Sequence, residues 1–310
     1  MTKQTDLLDV IVIGGGPAGL NAALILGRCR RNVLLFDEGK PRNSVSHALH
    51  GFLSRDGIAP TELRTIARAQ LAAYQSVSVD ADRVVDAKRT DKGFSVATAD
   101  GRTFLTRKLL LAAGVVDQLP AQPGFLELYG VGVFHCPYCD GWERRDLPLA
   151  VYGRGDDKGG GLALEMWHWS RDTILCTDGS SQLSTKFRQQ LDKHNIMLRE
   201  EKIVCLKIHS TIQYQTSFDI VFETGPALKR SAIFFNTGRH QSTDLADRLG
   251  CDRYGPEGYT LDDDQQMPQV PGLYVAGDAS SDVLLAIVAA AKGAQAAIGI
   301  NKALLREDLE

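Results

Sequence analysis

Short apolar runs that end in glycine-rich turns recur along the chain, and stretches rich in alanine and leucine follow them. Residues 10–13 lead into three closely spaced glycines, then into a stretch that predicts a helix to about Arg30 and a strand at 32–36. Short apolar runs bounded by turn residues indicate buried strands, and their alternation with helices indicates parallel pairing. The pattern therefore predicts an α/β protein that begins with a strand–helix–strand unit.

The glycines of this first turn suit a bound dinucleotide. Gly14, Gly16 and Gly19 allow a tight turn, close approach of a pyrophosphate and close packing of helix on strand. Asp37 ends the second strand, where this motif places an acid that accepts the ribose hydroxyls. A glycine-rich turn without a ligand is the alternative, but the flanking strands and the acid favour a Rossmann-like beginning.

A second copy of the pattern lies in the middle of the chain. The apolar residues 149–152 precede Gly153-x-Gly155, and a helix is expected to follow through Trp169. We therefore expect the nucleotide-binding module to occur twice.

Breaker residues indicate where the chain passes between the two modules. Prolines and a glycine at 120–124 favour one crossing, and residues 237–239 favour the return. The predicted organisation is one domain formed by residues 1–117 and 241–310, interrupted by an inserted domain at 118–240.

Two further strand ends are expected beside the first module. Residues 109–114 are apolar and end in small residues, which permit close backbone approach to a cofactor. A run that begins at Gly272 stops at Gly277 and Asp278, and an alanine-rich helix is expected at 283–305. Asp278 either hydrogen-bonds a sugar-alcohol chain of a ligand or caps this helix.

Composition and charge narrow the classes of function. The chain has 310 residues, 44% of them hydrophobic, which suffices for two domains with buried cores. A formal net charge of −3 does not favour nucleic acid or anionic membranes, which need a concentrated basic surface. We find no apolar leader and no run long enough to span a bilayer, so we expect a cytoplasmic protein with a small-molecule or protein partner.

Cys136 and Cys139 form a Cys-x-x-Cys pair, which suits thiol–disulfide exchange. Such a pair is also half of a zinc site, but a structural zinc ion needs four ligands and no second pair exists. We therefore predict no metal. The other four cysteines are expected to be buried apolar residues: Cys29, Cys176, Cys205 and Cys251.

Together these motifs resemble the low-molecular-weight thioredoxin reductase-like flavoproteins, which are class II pyridine-nucleotide-disulfide oxidoreductases. The similarity is greatest to members with a degraded NADPH site, such as diflavin-linked disulfide oxidoreductases and gliotoxin-type dithiol oxidases. The resemblance implies FAD, two Rossmann-like domains with the FAD domain split by the smaller one, and a homodimer. The implied FAD-binding residues are Gly14, Gly16, Pro17, Ala18, Gly19, Asp37, Ala113, Gly114, Gly277 and Asp278.

The resemblance also implies roles for the redox pair. Cys139 would face the flavin, Cys136 would meet the external partner, and Asp140 would carry the proton that thiol chemistry requires. The alternative for Asp140 is a turn residue before Gly141.

The second module departs from the NADPH-binding pattern of the family. Asp156 and Asp157 lie where a pyrophosphate needs bare N–H groups, and no basic cluster follows Cys176, where Asp178 would instead repel a phosphate. NADPH is therefore doubtful, and a second FAD is the leading alternative occupant. The possible second-nucleotide residues are Gly153, Gly155, Gly160, Gly161, Trp167 and Trp169, the tryptophans being either a stacking surface or core packing.

His47 and His50 resemble a histidine-rich stretch of the oxidase-like relatives, and each is either a base near the flavin or an ordinary polar residue. The predicted function is an FAD-dependent dithiol/disulfide oxidoreductase that acts on a thioredoxin-like protein or a small dithiol. The alternatives are an NADPH-dependent thioredoxin reductase and a non-enzymatic flavin-binding redox sensor.

Overall fold

A computed structural model describes residues 7–212, 215–255, 258–260, 263, 266–280 and 283–310. The strands, in chain order, are β1 Leu8–Ile13, β2 Val33–Phe36, β3 Val77–Asp80, β4 Val84–Thr90, β5 Gly93–Thr98, β6 Thr103–Leu111, β7 Val115–Asp117, β8 Val133–Phe134, β9 Leu149–Tyr152, β10 Thr173–Cys176, β11 Met197–Arg199, β12 Ile203–Ile212, β13 Gln215–Phe222, β14 Leu228–Arg230, β15 Ala232–Phe235, β16 Arg239–Gln241, β17 Arg253–Tyr254, β18 Tyr259–Thr260 and β19 Leu273–Val275. The α-helices are α1 Pro17–Arg28, α2 Pro60–Leu71, α3 Phe125–Leu128, α4 Pro137–Asp140, α5 Leu162–Met166, α6 Thr185–Lys193, α7 Leu245–Arg248 and α8 Ala286–Leu309. Short 3₁₀ segments cover Arg42–Val45, Trp142–Arg144 and Gly277–Ser280, and Asp156–Gly161 forms a π-helix.

The chain forms two compact units. Unit 1 comprises the residues up to Ser44, then Gly51–Val116 and Arg239–Glu310, and unit 2 comprises Val45–His50 and Asp117–Gly238. The six residues Val45–His50 therefore belong to a different unit from their neighbours in sequence, which no hydropathy pattern indicates.

Unit 1 is built on a sheet in the order β3-β2-β1-β6-β5-β4, with β19 also paired to β6. Val12 lies beside Leu35 on one side and Leu110 on the other, and Leu110 lies beside Tyr274, all in parallel register. These four side chains are buried in one hydrophobic cluster, because strands of a parallel sheet are covered on both faces. The sheet therefore brings the carboxyl ends of β1, β2, β6 and β19 to one edge.

Helices α1 and α8 cover this cluster with small side chains. Ala296, Ala297 and Ile300 of α8 are fully buried, and a Cβ on Gly293 would collide with the backbone carbonyl of Ala18. The backbones approach closely because glycine stands at the contact. This packing places the start of α1 next to the ends of β1 and β6.

Unit 2 repeats the plan of unit 1. Its five-stranded parallel sheet has the order β11-β10-β9-β15-β8, and β12, β13 and β14 form a separate antiparallel sheet. Val151 pairs with Leu175 and Phe234, and Phe234 pairs with Phe134, all inside one buried cluster. The predicted α/β fold with two Rossmann-like domains is confirmed.

The turn after β9 differs from the prediction. The expected helix through Trp169 begins as a π-helix and its α-helical part ends at Met166. The N–H groups of Gly159 and Gly160 both donate to the carbonyl of Gly155, at 3.2 and 3.0 Å, so the first turn is one residue wider than an α-turn. In the described ranges, no helix combines the length and apolar character needed to cross a membrane.

Candidate functional site

The first glycine loop of unit 1 has an open phosphate-binding geometry. Gly14 has φ +110°, and a Cβ there would collide with the Ala112 carbonyl, while a Cβ on Gly19 would collide with the Gly14 carbonyl. Gly16 has open space around it and precedes α1, which begins at Pro17 and has no side-chain cap. The N-terminal N–H groups of this helix are therefore oriented for an anion, as a dinucleotide pyrophosphate requires.

Asp37 lies at the end of β2 and its side chain packs against Gly15. Its carboxylate accepts hydrogen bonds from the Gly39 N–H at 3.0 Å, from Arg64 Nη2 at 2.7 Å and from Arg68 Nη2. Burial alone would raise the pKa of Asp37, but these donors outweigh it and lower the pKa. The predicted ribose acceptor is thus a firmly ionised carboxylate held by two arginines of α2, which the sequence analysis missed.

The ends of β6 and β19 lie side by side, with Leu111 in register with Val275. Ala113 and Gly114 follow the first strand, and Gly114 has φ +73° with no atom near the position of a Cβ. Ala113, Gly114, Val275 and Ala279 line one small pocket. Small residues at these strand ends fit a cofactor that lies close to the backbone.

Gly277 and Asp278 begin the short 3₁₀ segment after β19. Gly277 has φ +82° and packs toward Ala18, and Asp278 Oδ2 lies 3.2 Å from Arg42 Nη1. Helix α8 begins at Ala286 with Leu285 at its N-cap, so the alternative that Asp278 caps this helix is wrong. The described residues of unit 1 therefore fit FAD: an open glycine loop, an acid after β2, and small residues with an acid at the other strand ends.

Cys136 and Cys139 form a disulfide across α4, with their Cα atoms 5.3 Å apart. The turn forms because Pro137 occupies the first helical position, while Cys136 is extended and Gly141 N–H donates to the Pro137 carbonyl at 2.8 Å. Within the described ranges, no group of three or more His, Cys, Asp or Glu side chains is arranged to hold a metal.

Asp140 follows the disulfide and is only partly exposed. Burial raises the pKa of Asp140 to about 7; Arg144 and His50 oppose the rise and Glu143 adds to it. A carboxyl with this pKa gives and takes a proton near neutral pH, as a general acid–base residue must.

Two residues beside Asp140 were missed by the sequence analysis. Arg144 is 5% exposed, and its guanidinium carbon lies 4.9 Å from the centre of the Phe134 ring. Glu143 Oε1 lies 3.5 Å from His50 Nε2.

Burial, Arg144 and His50 lower the pKa of His47. His47 and His50 lie in an irregular segment rather than a helix, and that segment belongs to the unit that carries the disulfide.

Trp167 and Trp169 do not form one shared surface. The ring of Trp167 lies against His194, with centroids 4.4 Å apart, and the Arg171 guanidinium carbon is 3.4 Å from its centre. Trp169 instead packs edge-on against Tyr138, at 5.7 Å between centroids, next to the redox turn.

The second glycine loop is closed by partners within unit 2. Gly155 N–H donates to the Ser181 carbonyl at 2.8 Å, and Asp156 Oδ1 accepts from the Ser184 N–H at 2.8 Å, just before α6. Arg154 Nε donates to the Thr177 carbonyl at 2.6 Å. The loop thus has the strand–glycine–helix order of the first one, but its polar groups bind each other.

Asp178 does not have the position that the sequence suggested. Its carboxylate accepts from Ile203 N–H at 2.8 Å, Gln122 Nε2 at 3.0 Å and Tyr152 OH at 3.2 Å, so it is bound within the unit and is not aimed at a phosphate. No basic cluster follows Cys176 in the sequence, but basic residues from elsewhere lie near it. Three cations from other segments reach this strand end, each beside an acid: Arg154 and Lys202 near Asp178, and Arg188 near Glu200.

We expected the four cysteines outside the redox pair to be buried, and the structure confirms this for two of them. Cys176 and Cys251 are buried, and burial raises their pKa values to about 12 and about 11. Cys29 is exposed because it stands just after α1, and Cys205 is intermediate.

An open glycine loop in one unit, and in the other a Cys-x-x-Cys disulfide followed by a carboxyl of raised pKa, are typical of a flavin-type disulfide oxidoreductase. The chain belongs to the pyridine nucleotide-disulphide oxidoreductase family, whose model matches residues 8–294.

Individual relatives agree with this membership. The chain is 34% identical over 301 residues to a protein of Arthroderma benhamiae named probable thioredoxin reductase, covering 88% of this chain and 74% of the relative. It is 30% identical to thioredoxin reductase tcpT of Claviceps purpurea, covering 89% and 88%. The crystal structure of an oxidoreductase from Agrobacterium tumefaciens matches with a TM-score of 0.87 and 31% identity, covering 96% and 99%. The chain is therefore a thioredoxin reductase-like, flavin-dependent oxidoreductase acting on sulfur groups, and its family binds FAD.

Proposed function

We propose that the protein passes electron pairs between a dithiol substrate and one FAD through Cys136 and Cys139, without NADPH. The observation that carries the proposal is the Cys136–Cys139 disulfide directly followed by Asp140, a carboxyl whose pKa is raised by burial to about 7. Disulfide exchange consumes and releases protons, so a carboxyl that titrates at neutral pH beside the pair suits repeated cycling.

Each residue has a defined role in this proposal. Cys136 receives the attack of the substrate thiolate, Cys139 exchanges electrons with the flavin, and Asp140 holds or releases the proton. FAD, when bound, supplies two-electron redox chemistry. The residues that would hold it are Gly14, Gly16, Pro17, Ala18, Gly19, Asp37, Ala113, Gly114, Gly277 and Asp278.

Anaerobic mixing of the holoenzyme with a dithiol, followed by the flavin absorbance, tests the exchange. We expect rapid bleaching by dithiothreitol, and loss of bleaching in both Cys136→Ser and Cys139→Ser. Cys29→Ser is a matched control, since this exposed cysteine lies in the other unit. Bleaching that persists in both redox-pair variants would contradict the mechanism.

Exclusion of NADPH is supported by the closed loop of unit 2. A pyrophosphate there would have to displace the Ser181 carbonyl from Gly155 N–H and approach Asp156 and Asp157. Each charge-assisted hydrogen bond that a phosphate group fails to form at this loop costs roughly 1.5–3 kcal/mol of binding free energy, so the affinity for NADPH falls steeply. Stopped-flow mixing with NADPH or NADH should therefore leave the flavin oxidised, and fast bleaching at micromolar nucleotide would restore the alternative of an NADPH-dependent thioredoxin reductase.

A second FAD is the other occupant to test at this site, which Gly153, Gly155, Gly160, Gly161, Trp167 and Trp169 would line. The glycines favour a second FAD because they form a turn at the start of a helix, where backbone N–H groups can bind a pyrophosphate. Trp167 opposes it, since its ring already contacts Arg171 and His194. Acid-released FAD above one per chain at saturation supports a second FAD, and a ratio of one to one excludes it while leaving the disulfide chemistry intact.

The substrate in this proposal is a thioredoxin-like protein or a small dithiol, and the enzyme works as a cytoplasmic homodimer. The mass of the holoenzyme in solution, determined by analytical sedimentation, tests whether it is a dimer. Multiple turnovers with a dithiol and an electron acceptor would exclude the alternative of a flavin-binding redox sensor, which needs only one oxidation or reduction per signal.

A further inference from the structure

Two arginines of α2, which the proposed function does not use, hold a residue of the expected FAD site. Arg64 and Arg68 lie four residues apart on this helix and therefore on one face of it. Both Nη2 atoms donate to the same oxygen, Oδ2 of Asp37, that of Arg64 at 2.7 Å. The arginines can therefore act on the FAD site through the Asp37 carboxylate.

The Asp37 carboxyl group is buried and fixed from three sides. Its side chain is 8% exposed, and a Cβ on Gly15 would collide with the carboxyl group. Oδ1 accepts a hydrogen bond from the Gly39 N–H at 3.0 Å. The glycine loop, the residue after the β2 turn and α2 together hold the carboxyl group in one orientation.

Arg64 lies at this carboxyl group although its burial is unfavourable. Its side chain is 15% exposed, and in the described part of the chain its buried Nε has no hydrogen-bond partner. A buried unpaired donor destabilises a fold, and a buried guanidinium is tolerated where a carboxylate faces it. Arg68 is more open, with 41% of its side chain exposed. We therefore expect Arg64 to have the larger effect on Asp37.

The arginines leave Asp37 able to bind a further donor. Each oxygen of a carboxylate can accept two hydrogen bonds. Oδ2 accepts from both arginines, whereas among the described residues Oδ1 accepts only from the Gly39 N–H. A ribose hydroxyl can therefore donate to Oδ1 without displacing an arginine.

The charges around Asp37 favour the same role. Burial by itself would raise the pKa of Asp37, but the hydrogen bonds from Arg64, Gly39 and Arg68 lower it by more. The charged groups that face this carboxyl group are the two arginines. An ionised carboxylate is a stronger hydrogen-bond acceptor than a neutral carboxyl group, so the arginines keep it in the form that a hydroxyl donor needs.

We propose that Arg64 and Arg68 are positioning residues for the adenosine half of FAD, because they hold Asp37 in the orientation that a ribose hydroxyl needs. This inference rests on FAD binding in the proposed function and not on the disulfide chemistry. A carboxylate that is ordered before FAD arrives loses little freedom on binding, so the affinity is higher than with a mobile carboxylate.

The two halves of FAD allow a direct test. The full chain, stripped of flavin, is titrated calorimetrically at pH 7 with ADP, which carries the adenosine ribose, and with FMN, which lacks it. Arg64→Met should weaken the binding of ADP and of FAD about tenfold and leave FMN binding unchanged. Arg64→Lys keeps the charge and should recover part of the loss. Asp37→Asn should add little to Arg64→Met, since both variants remove the same contact.

The pH dependence of FAD binding gives a second readout that a purely structural role would not change. The wild-type affinity should stay constant between pH 7.5 and 5.5, because the pKa of Asp37 is lowered. Without Arg64 the effect of burial is offset less, so the pKa rises and the FAD affinity of Arg64→Met should fall as the pH is lowered. If Arg64→Met fails to fold, Arg68→Met, which alters a more exposed arginine, should change both readouts in the same direction by less.

Arg31→Met is the matched control. It removes a contact of 2.6 Å between Arg31 Nη1 and Asp308 Oδ2 in the same unit. Arg31 precedes β2, whereas Asp37 follows the other end of that strand, so the control should keep the wild-type affinity for all three ligands.

Two results for Arg64→Met would overturn the proposal: an equal loss of ADP and FMN affinity, which indicates general loosening of the fold, or an unchanged affinity for ADP. Wild-type protein that binds no FAD would instead contradict the proposed function. Because the titrations need no dithiol and no flavin reduction, failure of the disulfide mechanism leaves this test intact.

Discussion

Replacing Asp140 with asparagine should change how the stability of the protein depends on pH. Burial raises the pKa of Asp140 to about 7, against about 3.9 for an ordinary aspartate. Between these two values the folded state binds a proton that the unfolded state does not, so the free energy of unfolding falls as pH rises through this window. At about 1.36 kcal/mol per pKa unit, ionising Asp140 costs the folded protein on the order of 4 kcal/mol by pH 8, as an upper limit.

The assay is urea unfolding of the oxidised holoenzyme at several pH values between 5 and 8, followed by circular dichroism at constant ionic strength. In Asp140→Asn the free energy of unfolding should not fall over this pH range, so the variant becomes more stable relative to wild type as pH rises. Asp157→Asn is the control, because it removes an exposed aspartate of the same unit and should follow the wild-type curve. Dithiol-driven flavin reduction should fall about 10²–10⁴-fold in Asp140→Asn.

Parallel stability curves for wild type and Asp140→Asn would refute the reasoning, because they would mean that Asp140 ionises as an exposed carboxyl does. A normal rate of flavin reduction with an unchanged pH profile would separately remove Asp140 from the proton transfer. The two measurements are independent, since unfolding reports the energy of the charge and the rate reports its use.

Three further predictions follow from the geometry of single residues. Gly14→Ala should abolish FAD retention, because the new Cβ meets the Ala112 carbonyl, whereas Gly101→Ala, at φ +86° in open space, should retain FAD and cost roughly 1–2 kcal/mol in thermal unfolding. Asp37→Asn should lower the free energy of unfolding by about 1–3 kcal/mol at pH 7, and the difference should vanish as pH falls through the lowered pKa of Asp37. In the native protein a thiol reagent should modify exposed Cys29 long before Cys176, whose pKa burial raises to about 12; equal rates by mass spectrometry would contradict this.

The strands and glycine turns could be predicted because their signals are local. The apolar run and glycines that form β1 and the start of α1 lie within twelve residues, Leu8–Gly19, and hydropathy and turn chemistry operate over that distance. Partners across the fold could not be predicted. Asp37 is held by Arg64 and Arg68, which follow it by 27 and 31 residues on a helix whose rotation the sequence does not fix.

The redox site shows the same limit more sharply. The spacing of Cys136 and Cys139 suggested the redox pair, and the resemblance to the family suggested Asp140. His50 reaches Glu143 only because Val45–His50 packs in unit 2 while its sequence neighbours belong to unit 1. The Asp178 carboxylate illustrates the converse error. Its residue type suggested repulsion of a phosphate, yet Ile203, Gln122 and Tyr152 hydrogen-bond it within the unit.

The two glycine loops explain why we expect a dinucleotide to bind at the first loop and NADPH not to bind at the second. Both follow a buried parallel strand and precede a helix, so their backbones start from the same architecture. Gly16 and Gly155 both have open space around them, and neither of the helices that follow begins with a side-chain cap. In unit 2 the Gly155 N–H already binds the Ser181 carbonyl, and a π-turn follows. A pyrophosphate gains charge-assisted hydrogen bonds at the first loop, whereas at the second it must first break neutral ones worth about 0.5–1.5 kcal/mol each and then lie beside two aspartates. This difference is the basis of our proposal that thiol substrates, rather than a reduced nicotinamide nucleotide, supply the electrons.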